Sequence, residues 1–353
     1  MTTGVWSNKV SNVAQVGGIE TSVLDNGPGK GLRIAWINTG TGLRYKVVID
    51  RAMDIGEAFY NQHGLAWLSH PGFTPPQPFV HRGLDWLRTF GGGLLTTCGL
   101  THVGGPEKDE YGERGLHGLI SNIPAEIESV IQPDPAMGKM EMSITGTIKE
   151  SQLFGPSLEM KRTISGTLGK ASIHIRDEVI NRGNTAVPHM ILYHCNFGWP
   201  LADEGSTLLW QGDWSPRYPH NKNKIFHSAN NFRTCPAPMD EHNGSGEEVG
   251  IIDVSSDSHG ISSCGIYNPK LGLAVALRFP KKQLPWLTNW QHWSKGEYVT
   301  GMEPGTNPPI GQKTAREQQS LIFMEPGESR IYNLEIEVLT DEESIRKLGA
   351  ELT

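Results

Sequence analysis

The sequence predicts an all-β protein, a large antiparallel β-sandwich with a short C-terminal helix, and three observations carry that prediction. Gly at 42 and Pro at 23 of 353 residues interrupt helices and favour short strands joined by turns. Apolar side chains recur with a period of two, the repeat of a half-buried strand. Helix signals are confined to one segment near the C-terminus.

Taken along the chain, the first strand is predicted at Arg44 to Asp50. In the next, Met140, Met142, Ile144 and Ile148 share one parity and Glu141, Ser143, Thr145, Thr147 and Lys149 the other, with Gly146 the gap on the apolar side. Further strands are expected at Ala171 to Ile180, Val187 to His194, Leu273 to Phe279 and Glu297 to Glu303, between Gly, Asn and Pro turns. Tyr332, Leu334, Ile336 and Val338 then alternate with Asn333, Glu335 and Glu337. The helix is placed at Asp341 to Leu348, where Asp341, Glu342 and Glu343 form an acidic first turn, Arg346 and Lys347 follow, and Gly349 is the stop. A parallel α/β fold would need a helix between successive strands, and the sequence lacks them. With no internal repeat or low-complexity linker, a single domain spanning residues 1–353 is expected, its core running from about residue 30 to about residue 340 by motif placement.

Bulk composition excludes several function classes. The net charge of -7 arises from 38 acidic and 31 basic residues with no block of like charge, so no nucleic-acid stripe is present. Met1 to Val10 is polar, without an apolar stretch beside a basic start, and no later run reaches the ~18 apolar residues of a membrane span. A cytoplasmic protein is expected, with no membrane or nucleic-acid partner. Cys98, Cys195, Cys235 and Cys264 lie far apart with no C-x-x-C pair, so free thiols are expected. The 10 Trp, 10 Phe and 8 Tyr supply large buried areas for a core.

Four segments carry residues suited to chemistry. In the run from Arg82 to Leu100, Arg82 and Arg88 flank Trp86 and lead into Gly91, Gly92 and Gly93. Arginine forks grip carboxylates, phosphates or vicinal hydroxyls and Trp faces stack on sugar rings, but a glycine-rich turn with surface arginines reads the same. No phosphate loop is present, because the Lys-Ser/Thr pair is missing after the glycines. In the second segment His117 sits among glycines, which leave room for a ligand and equally suit a turn histidine bonded to backbone. In the third, residues 184–201, Met190, Leu192 and His194 share a strand face while His189 lies on the other, so the two histidines are poorly placed to ligate one metal. A polar His194 on an apolar face needs a partner or a task. In the fourth, Val299, Gly301 and Glu303 share a face, and Trp286, Trp290 and Trp293 crowd its approach. Glu303 reads there either as a cleft carboxylate or as a surface residue before a Pro turn.

Together these segments resemble the aldose 1-epimerase (galactose mutarotase) superfamily, and more closely an aldose-1-epimerase-like branch whose members largely lack assigned substrates. Leu116-His117-Gly118 looks like the family's Leu-His-Gly segment. The run from His194 to Leu201 is similar to its second histidine and the aromatic, Asn-bearing turn after it, and Met302-Glu303-Pro304 to the segment of its catalytic base. The closer branch shows in Asp50 to Gly56, Trp86 to Leu100, Tyr298 to Arg316 and Met324 to Glu328. Typical members carry, between the second histidine and the base, an Asp that contacts sugar hydroxyls; the motif does not decide whether Asp240 or Glu247 stands for it here, which leaves the sugar open.

The resemblance implies a galactose mutarotase-like supersandwich and a mutarotase acting on an aldose or modified aldose. Glu303 would remove the anomeric hydroxyl proton, His194 would protonate the ring oxygen, and His117 would be a second donor there. Arg88, Arg82, Arg51, Asn196 and Trp290 would hold the sugar. No cofactor is needed. If Glu303 is ionised while a histidine is protonated, activity falls on both sides of neutrality. Two other readings stay open: a metal-dependent sugar isomerase or epimerase with His117, His194 and Glu303 around a divalent ion, and a non-catalytic sugar-binding module.

Overall fold

Period-two alternation gives each long strand one face to bury, and pairing follows from that. Glu141–Ser151 and Ser157–Thr167 pair antiparallel in continuous register from Glu141↔Thr167 to Ser151↔Ser157, with Met142, Ile144 and Ile148 buried. The gap at Gly146 is filled from outside the strand, since a side chain there would meet the Met53 sulfur at 2.6 Å. The computed structural model describes residues 8–77, 82–217, 224–227 and 229–352, so residues 1–7 of the polar Met1–Val10 stretch lie outside it.

An eight-stranded sheet runs in the order Thr207–Trp210, Ile261–Asn268, Leu273–Pro280, Ser329–Leu339, Ser172–Asn181, Ser157–Thr167, Glu141–Ser151, Glu126–Ile131. A seven-stranded sheet runs Gly212–Pro216, Glu248–Val254, Trp286–Ser294, Glu297–Gly305, Val187–Gly198, Ile322–Met324, and its seventh strand, Thr96–Leu100, also pairs with Val187–Gly198. A five-stranded meander from Gly18–Val23 to His63–Gly64 completes the main sheets. One apolar core joins all three, with Ile164, Ile175 and Leu334 from the first, Tyr193, Phe197 and Met302 from the second, and Ile37 and Val47 from the third.

A polar hub stitches the sheets together inside this core. Arg162, fully buried, donates to Asp177 at 2.9 and 2.6 Å, to Asp54 and the Ala52 carbonyl at 3.0 Å each, and to Thr97 at 2.8 Å. The Tyr193 hydroxyl donates to Asp177 at 2.7 Å. Every donor of the guanidinium fork that these bonds use meets an acceptor, as a buried charge requires.

The predicted strands at Arg44 to Asp50, Ala171 to Ile180, Leu273 to Phe279 and Glu297 to Glu303 appear as Leu43–Val48, Ser172–Asn181, Leu273–Pro280 and Glu297–Gly305. Three expectations are corrected. Val187–Gly198 continues four residues past His194 and is buried on both faces: Met190 and Leu192 pack with Trp86 and Phe90, while Ile191, Tyr193 and Phe197 enter the main core. The C-terminal helix is Glu342–Leu352, with Gly349 inside it. Leu348 and Leu352 bury against Leu209, Ala274 and Ala276, and that burial offsets the ~1 kcal/mol cost of an interior Gly. A short helix, Gly311–Glu317, went unpredicted because its N-cap is Ile310 and no side chain caps it.

The four cysteines are free and buried. Among the described residues no helix is long and apolar enough to cross a membrane.

Candidate active site

Three separate elements deliver the candidate groups to one place. His117 follows a hairpin and adopts φ +57°, a left-handed conformation uncommon for a residue with a Cβ. Two backbone bonds hold it there: its N–H donates to the Gly104 carbonyl and its carbonyl accepts from Gly99 N–H, both at 3.0 Å. His194 lies on Val187–Gly198, and the register Cys195↔Met302 sets it beside Glu303 on the neighbouring strand. Thr288 pairs with Glu303 from the other side. Gly301 makes room for the carboxylate, because a Cβ there would stand 2.4 Å from Glu303 Oε1.

His194 Nε2 is 3.2 Å from Glu303 Oε1, and both side chains are buried. The His117 ring meets the His194 ring edge-on at 6.2 Å between centroids and leans on Trp86 at 5.0 Å. All three open onto a cavity of about 540 Å³ walled by Trp67, Trp86, Phe90 and Trp290. Arg217, Glu247 and Glu297 line its more exposed part, beside the buried His292. Buried polar atoms without an aligned hydrogen-bond partner gather here: His117 Nδ1, His194 Nδ1, Thr288 Oγ1 and Glu303 Oε1. Unpartnered buried polar atoms are costly, and a concentration of them in one cleft is the signature of groups held ready for a ligand. A smaller cavity of about 330 Å³ against the N-terminal meander offers no such set, and its Lys46 and Glu57 are paired with each other.

Burial sets the protonation of the site. It pushes the Glu303 carboxyl well above the ordinary carboxylate range, with Glu247 adding to the rise and Arg217 opposing it. It lowers His194 to about 4, an effect that interaction with the Asn196 side chain partly opposes. His117 is likewise held well below the ordinary range by burial and by His194, His102 and Arg217. Burial thus penalises the charged form of both groups, and it favours a neutral histidine beside a protonated glutamate over the ionised pair that the resemblance implies.

The expected sugar-binding residues divide. Trp290 lines the cavity and donates its indole N–H to Glu247 at 2.8 Å. Arg51, Arg82, Arg88 and Asn196 do not line it. Arg51 is buried and donates to the carbonyls of Thr74 and Thr89, at 3.1 and 2.8 Å, and to that of Ser121, so its fork serves the fold. Arg88 is exposed and ion-paired with Asp85 at 3.2 Å, and Arg82 is exposed too. Both precede the cavity-lining Phe90 in sequence but point elsewhere. Asn196 is fully buried, donating to the carbonyls of Gly93 and His194 at 3.0 and 2.9 Å. Two other polar residues line the cavity: Arg217, which the sequence did not single out, and Glu247, one of the two acids weighed for the sugar-contacting Asp. Asp240, the other acid of that interval, is exposed and paired with Lys295 at 3.0 Å. Only the pairing Val249↔Trp290 brings Glu247 to the cleft, a long-range register with no local signal.

Among the described residues no group of three His, Cys, Asp or Glu side chains has the placement to hold a metal ion.

The architecture recurs in solved structures. A candidate aldose 1-epimerase from Klebsiella pneumoniae is 24 % identical, with a TM-score of 0.83 over 94 % of this chain and 86 % of that one. A galactose mutarotase-like protein from Clostridium acetobutylicum is 11 % identical, with 0.64 over 92 % and 98 %. The galactose 1-epimerase of Lactobacillus acidophilus is 12 % identical, with 0.59 over 91 % and 98 %. At these identities the likeness is one of fold, and the fold is the galactose mutarotase-like sandwich. No curated protein matches the chain. Residues 29–338 match the family described as a domain of unknown function, DUF4432, and the chain belongs to that family.

Proposed function

We propose that this cleft is the active site of an aldose 1-epimerase-like isomerase, which interconverts the anomers of an aldose or modified aldose without a cofactor. The observation that carries this reading is the His194–Glu303 pair, 3.2 Å apart and buried in an aromatic-walled cavity. The pair holds one proton. When that proton resides on His194, Glu303 is a carboxylate able to take the anomeric hydroxyl proton while the imidazolium gives its own to the ring oxygen. The C1–O5 bond breaks, the aldehyde forms, and the site is left with protonated Glu303 and neutral His194. Rotation about C1–C2 followed by the reverse transfers closes the ring on the other face, so no solvent proton is consumed. His117 donates to the ring oxygen as charge develops, Trp290 and Trp86 stack on the sugar's apolar face, and Glu247 and Arg217 bind hydroxyls or a polar substituent.

The four buried free thiols suit a reducing compartment such as the cytoplasm.

The test is polarimetry, or exchange NMR, on freshly dissolved single anomers from a panel of neutral and acidic sugars, with a chelator-treated sample alongside. Acceleration that survives the chelator is the expected result. Loss of activity on chelation would transfer the site to a metal-dependent isomerase, and binding without acceleration to a sugar-binding module.

The pH profile follows from the shared proton. Below about 4 His194 takes up a second proton beside protonated Glu303, and no base remains. On the alkaline side Glu303, raised above the ordinary range, loses the proton and no acid remains. We expect kcat to be level from mildly acidic pH through neutrality and to fall only outside that span. A narrow optimum with a limb near the ordinary histidine value would contradict the one-proton pair.

A further inference from the structure

The hydrogen-bond network behind His194 determines which ring nitrogen of that residue carries a proton. Asn196 uses both amide hydrogens, on the carbonyls of Gly93 and His194. Its amide orientation is thereby settled, since a flipped side chain would set Oδ1 against two carbonyl oxygens. Oδ1 is then an acceptor, and it has no aligned donor. His194 Nδ1, two residues away on the same strand face, is buried and also lacks an aligned partner, as does Glu303 Oε1 on the opposite side of the ring. With a small side-chain rotation one placement of hydrogens would satisfy all three atoms: Nδ1–H of His194, whose ring interacts with the Asn196 side chain, would donate to Asn196 Oδ1, and the Glu303 carboxyl, 3.2 Å away, would donate to the bare Nε2.

We propose that Asn196 is a positioning residue which, by accepting from Nδ1, holds neutral His194 as the Nδ1–H tautomer, so that Nε2 is free to receive the proton of Glu303. The assignment of Asn196 to catalysis rests on the mutarotase reading; the tautomer itself does not. With the other tautomer, Nε2–H would point at the protonated carboxyl, the Glu303 carboxylate could not form by transfer to His194, and the resting pair would be locked. The atoms balance, since one proton moves from Oε1 to Nε2 and no bond other than O–H and N–H changes. Interaction with the Asn196 side chain also favours the protonated ring, the direction the transfer needs.

The experiment uses the full-length protein labelled with ¹⁵N-histidine, and two-bond ¹H–¹⁵N correlation spectra recorded at neutral pH without any sugar. The His194 pattern is assigned as the one that disappears in His194→Gln. The wild type is expected to show the Nδ1–H tautomer, and Asn196→Ala to shift it toward Nε2–H, with kcat down by ~10- to 100-fold and KM little changed. An Nε2–H tautomer in the wild type overturns the proposal even if the variant fails to fold. An Nδ1–H pattern that persists in a folded Asn196→Ala overturns the role of Asn196. Because the spectra contain no substrate, a failed mutarotation assay and a failed tautomer assignment are separate results.

Discussion

Glu303→Gln is expected to lower kcat for mutarotation by ~10²- to 10⁴-fold while sugar binding persists, because the amide keeps the shape of the side chain and cannot exchange a proton with His194 or the substrate. The variant should also fold well. Glu303 is protonated more readily in the folded protein than in the unfolded chain, so as pH rises above the ordinary carboxylate range the wild type loses stability until the raised value is passed. The amide has no such dependence, and at mildly alkaline pH its Tm should equal or exceed that of the wild type. Polarimetry, a sugar titration and a thermal melt on the same preparation check all three. A Gln variant that turns over at the wild-type rate would remove Glu303 from the mechanism, and with it the proposed function.

Arg162→Leu is expected to be the most destabilising single change, by about 3–5 kcal/mol, because it leaves Asp54 and Asp177 buried without their cation. Burial already raises the Asp54 carboxyl above its ordinary range even with Arg162 beside it. Arg162→Lys should rescue little, since a single ammonium cannot reproduce the fork that reaches Asp177 twice as well as Asp54, Ala52 and Thr97. The hub also anchors the strand of the site, through Tyr193 next to His194, so any folded fraction should lose activity as well. Urea unfolding gives the free energy. A loss below about 1 kcal/mol would mean that the two aspartates stay buried at little cost without the cation, and would contradict the hub's role.

What the chain determined by itself is whatever depends on neighbours within a few residues. Alternation placed the strands at Glu141–Ser151 and Ser329–Leu339, because one buried face is a local pattern, and the Gly and Pro density kept helices rare. The motifs around His117, His194 and Glu303 were legible because glycines and aromatics surround each one, and the structure gathers all three at one cavity. The resemblance did not assign the remaining site residues in the same way. Arg82 and Arg88 sit in a suggestive glycine-rich run, but orientation around a short turn is settled by tertiary packing, and Arg88 ends on Asp85 in solvent. Arg51 was spent on backbone carbonyls because a buried loop needs its acceptors satisfied. Glu247 and Arg217 enter the cleft only through long-range strand pairing, which no local signal encodes. The electrostatics of the pair were decided the same way. Composition shows a glutamate and a histidine, but only burial in a common low-dielectric cleft penalises the charged form of each, raising the carboxyl and lowering the imidazole.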